Sequence, residues 1–175
     1  MGEEKGLALF RGKPLIRYSL DTLEQICDRI LISANSQVDA YASFGYPVIA
    51  DTYTNAGPMA GLSACLSQST TRLNFVLTCD MPFVPPELLK YLLAKTDNYQ
   101  AVIPVMNEFP EPLCGIYATN ALWYVNDLIM HNIFRMTELL DRLNTLLVSI
   151  TRDHPFYTEE MFANINTKQA LKGGD

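Results

Sequence analysis

Residues 72–93 read RLNFVLTCDMPFVPPELLKYLL. The run from Leu73 to Cys79 is short, mostly apolar and bounded by turn-forming residues, as expected of a buried strand rather than a helix. Asp80 stands at its carboxyl end. Met-Pro-Phe-Val-Pro-Pro follows, and prolines 82, 85 and 86 stiffen the turn by fixing φ. A helix begins only behind them, in PPELLKYLLAK, where the first turn tolerates proline. Strand, stiff turn and helix make one βα unit, and the neighbouring sequence decides whether it repeats.

Upstream, GPMAGLSACLSQS (57–69) reads as a helix opened by Gly-Pro and PVIAD (47–51) as a short strand ending in an acid. VDAYASFG (38–45) reads as a helix closed by Gly45, and DRILISAN (28–35) as a buried strand. In front of these, KPLIRYSLDTLEQIC (13–27) sets Leu15, Ile16, Leu20, Leu23 and Ile26 at helical spacing, with Pro14 as a first-turn residue. Downstream, YQAVIPVM (99–106) and EPLCGIYATN (111–120) read as strands, and ALWYVNDLIM (121–130) and RMTELLDRL (135–143) as helices. LLVSI (146–150) and MFANINT (161–167) read as late strands or edges. Strands alternating with helices indicate an α/β protein, because parallel neighbours need a crossover that a helix supplies. The expected architecture is a Rossmann-like three-layer sandwich: a mostly parallel sheet with helices on both faces, in a single domain over residues 1–175.

The composition, 49% hydrophobic and 18% charged, supports a packed core and excludes a disordered chain. A net charge of -6 without a basic run excludes a broad grip on nucleic acid, so a bound phosphate must be held by a few residues or a metal. No apolar run has the length of a membrane span and no apolar signal core opens the chain, so a soluble cytoplasmic protein is expected. Cys27, Cys65, Cys79 and Cys114 form no C-x-x-C pair, and His131 and His154 lack ligand spacing. Reduced, mostly buried thiols are expected, without a zinc site.

In open α/β sheets, ligands sit beyond the carboxyl ends of the strands. Asn35, Asp51 and Asp80 occupy three such ends. An amide and two carboxylates suit a nucleotide: amide and carboxylate read the base edge or ribose hydroxyls, and one carboxylate holds Mg2+ beside substrate phosphates and water. Asp80 is the candidate metal ligand. A lone strand-end Asp also serves as a helix N-cap, but the stiff turn behind Asp80 holds its carboxylate still, which favours the ligand role. The glycines of AGPMAGL allow close approach of backbone N–H groups to an anion, and serve tight helix packing equally well. Lys5, behind a glycine-containing stretch, is placed to meet phosphates as a point charge, with a solvated lysine as the alternative.

In this order, MGEEKGL, GKPLI, ISAN, PVIAD, GPMAGL, TCDMPFVPP, EPLCGIY and FANINT resemble the molybdenum cofactor guanylyltransferases, the MobA-like nucleotidyltransferases, over nearly the whole chain. The resemblance implies a nucleotidyltransferase fold and a Mg2+-dependent transfer of GMP from GTP to the phosphate of molybdopterin, with release of pyrophosphate. It implies that Lys5 contacts phosphates, that Asn35 and Asp51 contact the guanosine part, and that Asp80 binds nucleotide and metal. Lys5 and Asp80 would then be the catalytic residues. Asn164 and Asn166, in FANINT, match the family's second Asn-containing motif and would face the pterin. Molybdoenzymes or cofactor-biosynthesis proteins are the implied protein partners. The family motif runs from a strand through a Leu-Ala-Gly-Gly loop into Ser-x-Arg-Met-Gly and then the lysine. This sequence joins it at Met-Gly, so the expected domain lacks the family's first strand and glycine-rich loop. Two alternatives stay open: a transferase using CTP or another phosphate acceptor, and a non-catalytic nucleotide-binding scaffold.

Overall fold

The computed structural model describes residues 4–165. A 3-10 turn at Lys5–Leu7 leads into a hairpin of β1 (Leu9–Phe10) and β2 (Lys13–Pro14), with Leu9 opposite Pro14. Its two-residue turn, Arg11-Gly12, has φ of 48° and 74°, the mirror-image geometry that matches strand twist. Helix α1 (Leu15–Leu23) follows, with Pro14 as its N-cap, one position earlier than expected, and it buries Leu15, Ile16 and Leu20. Next come β3 (Ile32–Ser33), α2 (Val38–Ala42) and β4 (Val48–Ile49); β3 and β4 pair in parallel as a sheet of their own. Within DRILISAN the assigned strand is thus confined to two residues, those in register with β4.

After α3 (Pro58–Gln68) come β5 (Leu73–Leu77), α4 (Pro86–Leu93), β6 (Ala101–Met106), β7 (Phe109–Pro110) and β8 (Cys114–Ala118). Helices α5 (Ala121–Met130) and α6 (Met136–Arg142) precede β9 (Thr145–Ser149). The main sheet has the order β5-β8-β6-β7, with β9 also on β6. β8 lies antiparallel between β5 and β6, whereas β9 is parallel to β6. The strands β5, β6 and β9 therefore share one direction, and β8 and β7 run against them. The described part of MFANINT forms no strand; it is a turn anchored by buried Met161 and Phe162, because two large apolar side chains here pack into the core instead of pairing their backbone.

Alternation along β6 and β8 divides the interior into two layers. Ile103 and Tyr117 face Met59 and Leu66 of α3, Val125 and Leu128 of α5 and Leu139 of α6. Their neighbours Val102 and Ile116 face Leu88, Leu89 and Leu92 of α4, together with Met161 and Phe162. A third cluster joins Ile16 and Leu20 of α1 to Ile32 and Tyr41. Helices thus cover both faces of the sheet, as the repeated βα pattern requires.

Candidate active site

Asp80 begins the proline-stiffened turn after β5. The hydroxyl of buried Ser19 on α1 donates to the Thr78 carbonyl at 2.9 Å, and that of buried Thr22 donates to the Val84 carbonyl at 3.0 Å, so α1 holds both ends of the turn. Thr78 Oγ1 donates to Asp80 Oδ1 at 2.8 Å, and Lys5 Nζ donates to Asp80 Oδ2 at 2.5 Å. From the far end of the described chain, the Ile165 backbone N–H donates to the Asp80 carbonyl at 2.9 Å. The Asn164 amide, oriented to donate, lies 3.1 and 3.2 Å from the two carboxylate oxygens. Lys5, Asp80 and Asn164 form one cluster.

A second cluster lies at the ends of β3 and β4. Asn35 Nδ2 donates to Asp51 Oδ2 at 2.7 Å while the Asp51 backbone N–H donates back to Asn35 Oδ1 at 2.8 Å. Ser33 Oγ adds a bond to Asp51 Oδ1 at 3.2 Å. This reciprocal pairing fixes the amide and the carboxylate relative to each other. Helix α3 closes against them at Gly61, where a Cβ would stand 2.6 Å from Ser33 Oγ. Its N-cap, Gly57, has φ 57° and ψ -142°, which only glycine adopts without strain. Glu4 and Lys5 bridge the two clusters: Ser36 and Tyr41 donate to the Glu4 carboxylate, while Lys5 reaches Asp80.

Residues 1–146 match the family described as the MobA-like NTP transferase domain. The chain belongs to this family. It is 31% identical to a probable molybdenum cofactor guanylyltransferase of Flavobacterium johnsoniae, over 98% of this chain and 87% of the relative. It resembles the solved structure of molybdopterin-guanine dinucleotide biosynthesis protein A from Archaeoglobus fulgidus at 29% identity and a TM-score of 0.81, covering 98% of this chain and 88% of that one. At 14% identity, 2-C-methyl-D-erythritol 4-phosphate cytidylyltransferase from Thermus thermophilus shares the fold, with a TM-score of 0.72 over 96% of this chain and 90% of that one.

In this MobA-like transferase the residues singled out from the sequence fall into two clusters, at the carboxyl ends of β3 and β4 and of β5. Lys5, Asp80 and Asn164 share one cluster and Asn35 and Asp51 the other, whereas Asn166 lies outside the described residues. Sequence reasoning missed Glu111. The β5–β8 register sets Leu77 opposite Cys114, and the Thr78 N–H donates to the Leu113 carbonyl at 2.9 Å. Glu111 stands in the turn just before β8, its carbonyl accepting from the Cys114 N–H at 2.9 Å, close enough for the Asp80 charge to act on it. Burial, then the Asp80 charge, raises the Glu111 pKa. Its only sequence signal is an acid at the head of EPLCGIY, which means little until β8 is known to be antiparallel to β5. Burial and Asp80 also push the Cys79 thiol up to about 11, against the opposing charge of Lys5. Among the described residues no group of three or more His, Cys, Asp or Glu side chains is disposed to hold a metal.

Proposed function

We propose that this protein transfers GMP from GTP to the phosphate of molybdopterin, releasing pyrophosphate, with Mg2+. The observation that carries this reading is the convergence of Lys5 and Asn164 on Asp80, beside a paired Asn35 and Asp51, at the carboxyl ends of neighbouring strands. The family membership and the names of its relatives support the same reading.

The acceptor is a phosphate and already ionised near neutral pH, so no general base is required. Its oxygen attacks the α-phosphorus of GTP in line, the bond to the bridging oxygen breaks, and pyrophosphate leaves. Catalysis rests on positioning and on charge stabilisation. The Lys5 ammonium meets the phosphates as a compact positive charge. The Asp80 carboxylate offers hard oxygen donors on a stiff turn, a donor set that suits Mg2+ held chiefly by substrate phosphates; the ion, when bound, supplies Lewis-acid neutralisation of phosphate charge. Asp51 presents a carboxylate to the adjacent N–H donors of guanine, with Asn35 fixing its orientation. Asn164, whose amide lies 3.1 and 3.2 Å from the Asp80 carboxylate oxygens, would meet the acceptor. The product, a cofactor, would pass to molybdoenzymes or other biosynthesis proteins in the cytoplasm. No helix among the described residues is long and apolar enough to cross a membrane.

The test is a GTP titration with and without Mg2+, with CTP and ATP as competitors, followed by pyrophosphate release on adding molybdopterin. Metal-dependent binding that prefers GTP, followed by release, is expected. Equal displacement by CTP would reassign the nucleotide, and binding without turnover would leave a scaffold.

A further inference from the structure

Ala101 and Val102 of β6 pair both with β8 and with β9, so β9 lies on the other side of β6 from β8. Among the described residues β9 pairs with no further strand. Its ladder shows which backbone groups it leaves open. The Ala101 N–H donates to the Asn144 carbonyl and the Ile150 N–H to the Val105 carbonyl, so by alternation the even-numbered residues of β9 turn their backbone toward β6. Thr145, Leu147 and Ser149 turn theirs outward.

An outer edge is a template for pairing with another chain unless a charged residue, a proline or a bulge blunts it. Thr145–Ser149 reads TLLVS, with neither charge nor proline. Its register with β6 runs one-for-one from Ala101 and Thr145 to Val105 and Ser149, so it has no bulge. Leu146 and Val148 belong to the layer that packs on α4. Leu147 lies on the other face, opposite buried Ile103, and is 54% exposed. A leucine is thus uncovered at the middle of the three residues whose backbone is open.

We propose that β9 pairs with β9 of a second copy of this chain, antiparallel about a two-fold axis at Leu147, making one sheet continuous through both molecules. The strand's own sequence selects this occupant and this register. Two-fold pairing of identical strands is antiparallel and sets Leu147 against the partner's Leu147, each donating its N–H to the other's carbonyl. On that face Thr145 meets the partner's Ser149, so hydroxyl pairs flank the apolar one. On the opposite face Leu146 meets the partner's Val148, which extends the layer packed on α4. Moving the axis by one residue, to Leu146 or Val148, would set Leu147 against a hydroxyl side chain and lose this match. The dimer does not depend on the proposed reaction.

The experiment is sedimentation of the purified protein over a dilution series, with backbone hydrogen exchange read at Thr145, Leu147 and Ser149 at both ends of the series. On concentration the mass should double and exchange at these amides should slow by about ten-fold or more. Leu147→Lys sets like charges across the axis, and Ser149→Pro removes an outward donor in a way an edge strand tolerates. Each should stay monomeric with the circular dichroism of the parent, while Leu147→Ile should dimerise. If the lysine variant fails to fold, the proline variant and the parent's own concentration dependence decide. A parent that is monomeric at every concentration would overturn the proposal. So would a dimer that survives in a folded variant, which would place the contact elsewhere, and protection of the three amides at every dilution, which would assign the edge to the same chain.

Discussion

At the level of single residues the site depends on Asp80, where a lysine, a threonine and an asparagine side chain converge on one carboxylate. Asp80→Ala is expected to lower transfer by about 100-fold or more, in the range found when one group stabilising transition-state charge is removed. The far-UV circular dichroism spectrum should not change, since Asp80 is held by the core and contributes no apolar packing to it. Glu111 has the opposite character. Burial and Asp80 raise its pKa above the ordinary value of 4.5, so the folded state binds this proton more tightly than the unfolded chain. Its contribution to stability is complete below pH 4.5 and declines as pH rises through the folded value. Glu111→Gln should therefore give a higher urea midpoint than the parent at pH 7, with the two midpoints converging below pH 4.5. Asn35, Asp51 and Asp80 were legible as strand-end residues because strand ends in an α/β chain are marked by local composition. Glu111 was not, because its role depends on which strand lies beside β5.

Among the elements, β8 decides the topology. It sits between β5 and β6 and reverses the sheet, yet its sequence, CGIYA, carries no mark of direction. Periodicity reports that a strand exists; its neighbours are set by packing of the whole chain. Two hairpins escaped for another reason. Arg11-Gly12 and Asn107-Glu108 each place two consecutive residues at positive φ, and only a glycine in one and an asparagine in the other hint at this in the sequence. The packing of β8 gives a direct test. A Cβ on Gly115 would lie 2.6 Å from Ile103 Cδ1 and 2.9 Å from the Val102 carbonyl oxygen. The methyl of Ile103 can rotate away; the backbone oxygen cannot without moving β6. Gly115→Ala should destabilise the fold by about 1–3 kcal/mol, the usual cost of overpacking, measured by chemical denaturation.

Over the whole molecule the thiols report burial. Burial raises the pKa of all four: Cys27, with a further push from Asp28; Cys65 and Cys79, each to about 11; and fully enclosed Cys114. Each therefore holds its proton at neutral pH and reacts slowly. Iodoacetamide at pH 7.5 should label the folded protein much more slowly than the urea-unfolded chain, and mass spectrometry should show Cys114 to be the last modified. The chain was legible as an α/β protein because that property is a sum over composition and period. The separation of β3–β4 from the main sheet was not, because it depends on what does and does not lie between two strands.

Asp80 holds two segments far apart in the sequence, Lys5 through its carboxylate and Ile165 through its carbonyl. All three residues lie outside the β-strands and α-helices, and segments with few packed contacts open locally before a packed core does. The proposed chemistry would then rest on contacts that yield before the sheet does. Thermal inactivation should come before melting: the temperature at which half the activity is lost should lie below the midpoint of the circular dichroism transition, and nucleotide should narrow the gap by holding the two segments together.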